Sequence, residues 1–123
     1  MKIIQNEAMP KSNGHYSMCI EHNGLLYISG QLPFNPKDRT MPKGIEAQTL
    51  QTLQNLEVIL VAAGSQKDKV IQMRIYVSDI ELWPTVNKVY ADFFDKHKPV
   101  RAVIPTGKLH YGALIEIEGI ATL

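Results

Sequence analysis

The chain has 123 residues, of which 45% are hydrophobic and 20% are charged, as in an ordinary single globular domain covering 1–123. This composition excludes a disordered, collagen-like or low-complexity protein, and a net charge of +1 without a basic stripe disfavours a dedicated nucleic-acid binder. No apolar run approaches the roughly 20 residues of a membrane helix, and the amino terminus does not resemble a signal peptide. A single cysteine, Cys19, suits a reducing compartment, so we expect a cytoplasmic protein.

The first elements along the chain predict a β-hairpin. Apolar and polar residues alternate over 17–22, and a second apolar run covers 25–29. Asn23-Gly24 lies between these runs and is the strongest short-range signal for a hairpin, because both residues tolerate a positive φ. The proline-rich stretch 33–42 predicts an exposed loop.

From Ile45 the apolar residues follow a helical period, and the opposite face is expected to be solvated through Gln48, Gln51, Gln54 and Glu57. Gly64 marks the end of this helix. A strand is predicted over 70–77, with one face formed by Ile71, Met73, Ile75 and Val77. A second helix from Pro84 and strands over 100–104 and 114–122 complete the order β-β-α-β-α-β-β. This order predicts an α+β fold, in which two helices pack on one face of a mixed sheet.

The other face of the sheet is expected to mix charged and apolar side chains. If Val100, Ala102 and Ile104 pack under the helices, Arg101 and Val103 point to the other face. The same alternation places five more residues there, namely Arg74, Tyr76, Glu116, Glu118 and Ile120. A face of this mixed character is often a subunit interface. We therefore expect a homo-oligomer with its chemistry on or near that interface.

Arg101 is the leading functional candidate, because it interrupts a short apolar strand and its guanidinium matches a carboxylate bidentately. It could receive a small carboxylic acid, or form an interface ion pair with Glu116 or Glu118. The two glutamates project to one face and could raise each other's pKa for acid–base work, although solvated or paired glutamates are more common. Tyr16 could place its hydroxyl at a pocket rim or simply pack in a turn.

The remaining polar residues carry weaker signals. Ser29-Gly30 offers a hydroxyl and a backbone donor but lacks the flanking pattern of a serine nucleophile. Asn87 is more commonly a capping or solvated residue, and Cys19 is expected in the core. The four histidines lack metal-ligand spacing, and phosphate loops and dinucleotide fingerprints are absent. Any chemistry is therefore expected to be cofactor-free and metal-free.

The carboxyl-terminal segment resembles the signature of the RidA/YjgF reactive-intermediate deaminase family: Pro99-Val100-Arg101-Ala102-Val103-Ile104, then Gly107 and Leu109, then Ile115-Glu116-Ile117. The likeness extends along nearly the whole chain, through Tyr16 after Gly14, the 26–33 strand and turn, Ala62-Ala63-Gly64, Val77-Ser78-Asp79 and Val86-Asn87.

The resemblance implies a chorismate-mutase-like fold and a homotrimer with clefts between neighbouring subunits. It implies cofactor-free hydrolysis of imines and enamines, such as 2-iminobutanoate and 2-iminopropanoate, to 2-oxo acids and ammonia. By position, Arg101 would clamp the substrate carboxylate, and Glu116 would orient or deprotonate the attacking water. Tyr16 from the neighbouring subunit would help hold that water or the imine nitrogen. The cleft would be lined by Ser29, Gly30 and Asn87.

Val103 departs from the family pattern, because many relatives carry cysteine there. Valine can replace it if the position contributes its backbone N–H, but not if the thiol is needed. The 107–112 loop with His110-Tyr111 is a place where substrate size could be set. The alternatives are another enamine, such as 3-aminoacrylate or 2-aminomuconate, and a non-catalytic trimer that binds a metabolite or a protein partner. RNA cleavage, to which relatives have been linked, is the weakest alternative because the chain lacks a basic stripe.

Overall fold

One mixed sheet of six strands carries two α-helices on one face in the computed structural model, which describes residues 1–123. The strands are β1 (Lys2–Ile4), β2 (Cys19–His22), β3 (Leu25–Gln31), β4 (Val70–Val77), β5 (Val100–Pro105) and β6 (Ile115–Thr122). The helices are α1 (Ile45–Ala62) and α2 (Trp83–Phe94), and three 3₁₀ turns cover Lys67–Lys69, Ile80–Leu82 and His110–Gly112. The spatial order is β1-β2-β3-β6-β4-β5, and only β4 and β5 run parallel. The predicted α+β class is confirmed.

The local signals at the element ends are confirmed as well. Asn23 and Gly24 take φ values of 53° and 78°, as a tight hairpin between β2 and β3 requires. Gly64 follows α1 with a φ of 84°. The first strand, β1, was not predicted. It has only three residues and contributes one half-buried side chain, so it carries no alternation that the sequence could reveal.

The core lies between the sheet and the helices. Leu53, Leu56 and Leu60 of α1 pack against Met73 and Ile75 of the sheet in one buried cluster. Removing such a side chain from water stabilises a fold by about 1.5–3 kcal/mol. The cluster fixes both helices on the same face and leaves the opposite face of the sheet, called the open face below, without a helix.

The predicted face of β4 is wrong at its first residue. The pairing with β6 shifts register between Val70 and Gln72, so that Val70 points into the core and Ile71 is 42% exposed. A β-bulge of this kind reverses the alternation for the residues on its far side. Met73, Ile75 and Val77 are buried as predicted.

The predicted orientation of β5 is also wrong, and this correction changes the site. Arg101 is paired with Met73, and Val103 with Ile75, in the parallel ladder between β4 and β5. Paired residues share a face of the sheet, so Arg101 and Val103 lie on the helix side. The open face instead receives Val100, Ala102 and Ile104. The apolar character of these three residues predicted that they face the core, but β5 is an edge strand and Val100 is 63% exposed.

Candidate functional site

Arg101 lies at the edge of the sheet against one face of α2. Its guanidinium carbon is 4.7 Å from the ring centre of Trp83 and 4.8 Å from that of Tyr90. Its Nη1 donates a hydrogen bond of 3.2 Å to Oδ1 of Asn87. The other N–H donors of the guanidinium have no partner within the subunit, and no carboxylate forms a salt bridge with it. Arg101, Asn87 and Val103 are called the arginine half-site below, and it presents an unpaired positive charge.

Glu116 lies on the open face of β6, opposite Tyr76 of β4, as the alternation predicted. Its carboxyl group is half-buried against the backbone of Gly30 at the end of β3, where a Cβ atom would collide with Oε2 of the glutamate. Burial raises the pKa of this carboxyl, the charge of His110 opposes the shift, and Glu118 adds to it. No hydrogen bond within the subunit engages the carboxylate. Such a group is suited to accept a proton and return it.

Glu118 has a different use, although it shares the open face. Its Oε1 accepts hydrogen bonds from Nη1 of Arg74 at 3.0 Å and from the hydroxyl of Tyr76 at 2.9 Å. These contacts give the Glu118 carboxylate hydrogen-bond partners within the subunit, whereas the Glu116 carboxylate has none. Within the subunit Arg101 forms no salt bridge with either glutamate, and Glu118 is paired with Arg74; the interface ion pair considered for Arg101 stays a prediction.

Ser29 and Tyr16 lie at the same end of β3 as Gly30. The hydroxyl of Ser29 donates a 2.6 Å hydrogen bond to the carbonyl of Ser17, and its backbone N–H donates to the carbonyl of Met18. These bonds hold the segment that precedes β2 beside β3, and Tyr16 is the adjoining residue, 49% exposed. Glu116, Gly30, Ser29 and Tyr16 are called the glutamate half-site below.

The two half-sites do not converge within one subunit. Arg101 lies on the helix side and Glu116 on the open face. β4 separates their strands, and Glu116 is level with Ile104, three residues beyond Arg101 along β5. Two strand spacings and three residues along a strand place the two Cα atoms roughly 14 Å apart. The prediction that alternation puts both residues on one face is therefore corrected.

Two buried polar residues of α1 support the glutamate half-site, and the sequence pattern missed both. Gln48, predicted to face water, is buried; its side chain donates to the carbonyl of Pro42 and accepts from the N–H of Leu114. Asn55 donates to the carbonyls of Leu32 and Phe34. Both tie the loops that flank Gly30 and Glu116 to the helix. The apolar period assigned Gln48 to the solvated face and so gave no signal for its burial, and the partners of both amides depend on the folded chain.

The loop before β6 projects an aromatic side chain beside the glutamate half-site. Tyr111 has a φ of 61° and is 71% exposed, and its ring packs edge-to-face on Phe34 with 5.4 Å between centres. Its neighbour His110 is the histidine whose charge acts on Glu116. This is the loop in which the sequence predicted a determinant of substrate size.

Cys19 is a core residue, as predicted. It is fully buried, and burial raises the pKa of its thiol to about 11. A thiol with this pKa is almost entirely protonated near neutral pH and is a poor nucleophile.

None of the helices has both the length and the apolar character that a membrane crossing demands.

Comparison with known proteins gives one consistent result. The family model described as Endoribonuclease L-PSP matches residues 6–123. A RutC family protein of Pyrococcus horikoshii is 40% identical over 98% of this chain and 96% of its own. TdcF of Escherichia coli, provisionally named a reactive intermediate deaminase, is 32% identical over 98% of this chain and 95% of its own.

Comparison with solved structures identifies the same group of relatives as the sequence comparison. The crystal structure of E. coli TdcF with bound serine superposes with a TM-score of 0.94 at 31% identity, covering 100% of this chain and 99% of that one. The crystal structure of the YjgF gene product of E. coli gives 0.94 at 33% identity, covering 99% and 98%. With the same chorismate-mutase-like architecture and a match over nearly its whole length, the chain belongs to the RidA/YjgF family, whose model is described as Endoribonuclease L-PSP.

Proposed function

We propose that this protein hydrolyses short-lived 2-imino acids and their enamine forms, such as 2-iminobutanoate and 2-iminopropanoate, to 2-oxo acids and ammonia. The observation that carries the proposal is the pair of half-sites. One offers an unpaired guanidinium and the other an unpaired, half-buried carboxylate with a raised pKa. Together they supply a receptor for a carboxylate and a base for water, which are the two functions that this hydrolysis requires.

The two half-sites act on one substrate only if they come from neighbouring copies of the chain. A 2-imino acid carries its carboxylate directly on the imine carbon, so it cannot bridge two groups roughly 14 Å apart on opposite faces of a sheet. We therefore place the reaction in clefts between subunits of a homotrimer. Arg101, Asn87 and Val103 come from one copy, and Glu116, Gly30, Ser29 and Tyr16 from its neighbour. The exposed apolar residue Val100 on the edge strand β5 supports burial of this edge in an assembly.

The reaction itself needs a positioned water and three proton transfers. The guanidinium of Arg101 binds the substrate carboxylate and fixes the imine carbon in the cleft. The imine reacts in its protonated iminium form. Glu116 takes a proton from water as the water oxygen bonds to that carbon, and the C=N electron pair moves to the nitrogen, which becomes a neutral amine. Glu116 then returns its proton to the nitrogen as the C–N bond breaks and ammonia leaves. The remaining hydroxyl loses its proton to the Glu116 carboxylate to give the 2-oxo acid, and Glu116 releases that proton to solvent. Tyr16 and Ser29 supply hydroxyl groups at the rim that hold the water or the nitrogen.

Two further points support an amino-acid-like substrate. The TdcF crystal structure holds serine, a molecule with a carboxylate and a nitrogen on the same carbon, as in a 2-imino acid. Val103 packs its side chain against the core, so we infer that this position serves the cleft through its backbone and that a thiol is not required.

The test is the release of ammonia and 2-oxo acid from freshly generated imines. A threonine or serine dehydratase supplies 2-iminobutanoate or 2-iminopropanoate, and the decay of the imine is followed with the parent protein, with Arg101→Ala and with Glu116→Gln. Acceleration by the parent and a loss of at least 100-fold in both variants is expected for groups that orient substrate and water. The exposed Lys88→Ala on α2 is the matched control.

Two results would contradict the proposal. Equal acceleration by the parent and by Arg101→Ala would show that the reaction does not require Arg101 to bind the substrate carboxylate. If light scattering at micromolar concentration gave the mass of a monomer and the protein kept full activity, the reaction site could not lie between subunits.

A further inference from the structure

One side of α2 forms a cradle for Arg101. Trp83, Asn87 and Tyr90 are spaced i, i+4 and i+7, which places all three side chains on the same face of a helix. Residues seven apart are separated by about 10.5 Å along the helix axis, close to the combined ring distances of 4.7 and 4.8 Å from the guanidinium carbon. The guanidinium therefore lies between the two rings, and Asn87 holds one of its nitrogens. These three residues are called the arginine cradle.

With a ring centre 4.7 Å and another 4.8 Å from the guanidinium carbon, the arginine cradle favours approach of a ligand at the N–H edge of the guanidinium. A guanidinium donates N–H groups only in its plane, and one of them is already given to Asn87. The donors that remain point along the free edge, where a planar carboxylate binds with two parallel hydrogen bonds. A flexible arginine would lose side-chain freedom on binding, whereas an arginine already held between rings loses less.

The support behind the cradle is rigid. Tyr90 is 6% exposed and packs against Phe94 with 4.7 Å between ring centres. Its hydroxyl is buried without a hydrogen-bond partner, so within the subunit this side chain contributes its ring and no polar contact. Trp83 stands at the start of α2, followed by Pro84, which favours the first helical turn.

We propose that Trp83 and Tyr90 are positioning residues that hold Arg101 edge-on to the substrate carboxylate, and that Trp83 reports its occupancy. This inference rests on the proposed role of Arg101 as the carboxylate clamp. Trp83 is the single tryptophan of the chain, so its emission arises from the cradle alone. A carboxylate that draws charge from the guanidinium changes the field at the indole ring beside it.

The first experiment titrates the full-length protein, in its assembly in solution, with 2-oxobutanoate, which carries the same carboxylate as the imine. Calorimetry measures binding, and tryptophan emission is recorded in parallel. We expect a saturable emission change with the same midpoint as the calorimetric curve, and the loss of both signals in Arg101→Ala.

The second experiment replaces the rings and measures hydrolysis of 2-iminobutanoate. Trp83→Leu is expected to raise KM about tenfold with a smaller change in kcat, which is the size of one partly desolvated cation–π contact. Trp83→Phe restores an aromatic ring and is expected to return KM most of the way to the parental value. A merely structural role of Trp83 would not predict this recovery. Tyr90→Leu provides an independent test on the second ring, with its folded state checked by thermal unfolding.

The outcomes separate this inference from the proposed function. The positioning role of Trp83 would be disproved, and the carboxylate-binding role of Arg101 kept, by either of two results. In the first, Arg101→Ala abolishes binding but Trp83→Leu keeps the parental KM. In the second, Trp83 emission is constant while calorimetry registers binding. If Arg101→Ala binds 2-oxobutanoate as the parent does, the clamp is overturned and the cradle with it.

Discussion

Gly30 is the position at which a single methyl group should separate catalysis from folding. The ideal Cβ of an alanine there would lie 3.1 Å from Cδ and 3.3 Å from Cγ of Glu116, and would collide with Oε2. The three heavy atoms nearest to that Cβ all belong to Glu116, and the φ of Gly30 is not in the left-handed region. The glutamate carboxylate is the movable partner, and we expect it to shift by about 1 Å, a misplacement that typically costs about 100-fold in rate. That factor corresponds to about 2.7 kcal/mol of activation free energy.

The assay compares kcat for 2-iminobutanoate hydrolysis in the parent, Gly30→Ala, Glu116→Gln and the double variant. If the methyl group acts only by displacing Glu116, the double variant is no slower than Glu116→Gln alone, because coupled residues are not additive. The free energy of unfolding of Gly30→Ala should stay within about 1 kcal/mol of the parent, since glycine-to-alanine effects in an unstrained strand are of that size. A Gly30→Ala protein with a kcat within twofold of the parent would refute the assignment of Glu116 to the reaction.

Three further changes have defined outcomes. Gln48→Leu leaves the N–H of Leu114 and the carbonyl of Pro42 without partners, so the free energy of unfolding measured in urea should fall by about 1–3 kcal/mol, against no loss for the exposed Gln54→Leu. The thiol of Cys19, buried and with a pKa of about 11, should not react with an aromatic disulfide reagent in the native protein but should react once in denaturant; rapid native labelling would contradict its burial. Glu116 has a raised pKa in the folded state, so its stabilising contribution is present below the unfolded pKa and is lost as pH rises through the folded pKa. Glu116→Gln should therefore gain stability relative to the parent as the pH rises above the ordinary glutamate pKa of about 4.3 in denaturant titrations, and a difference that does not change with pH would disprove the shift.

The sequence predicted the central elements well, for a physical reason. In β6, buried and half-buried residues alternate without exception, because one face packs on the helices and the other is covered only in part. Glu116 and Glu118 could therefore be placed on the correct face from alternation alone. The hairpin turn and the end of α1 were equally accessible, since they depend on the conformational freedom of Asn23, Gly24 and Gly64.

The edge of the sheet could not be predicted in this way. β5 has apolar residues on both faces, with Val100 exposed and Val103 packed against the core, so the period of two carries no information about orientation. Arg101 was predicted to be a functional residue, but its side of the sheet depends on the register with β4, which no local pattern encodes. The same holds for Trp83 and Tyr90, whose helical spacing is visible in the sequence although their contact with β5 is not.

The central claim is that each reaction site takes its arginine from one copy and its glutamate from another. Arg101→Ala and Glu116→Gln are each expected to be inactive, and each keeps the half-site that the other lacks. Subunits of the two variants are to be mixed by co-expression or by joint refolding, and imine hydrolysis measured against each variant alone. Random assortment gives about one quarter of the clefts both intact groups, so the mixture should recover about 25% of parental activity. A mixed assembly with no more activity than its parts would show that one copy supplies both residues, and would contradict the account.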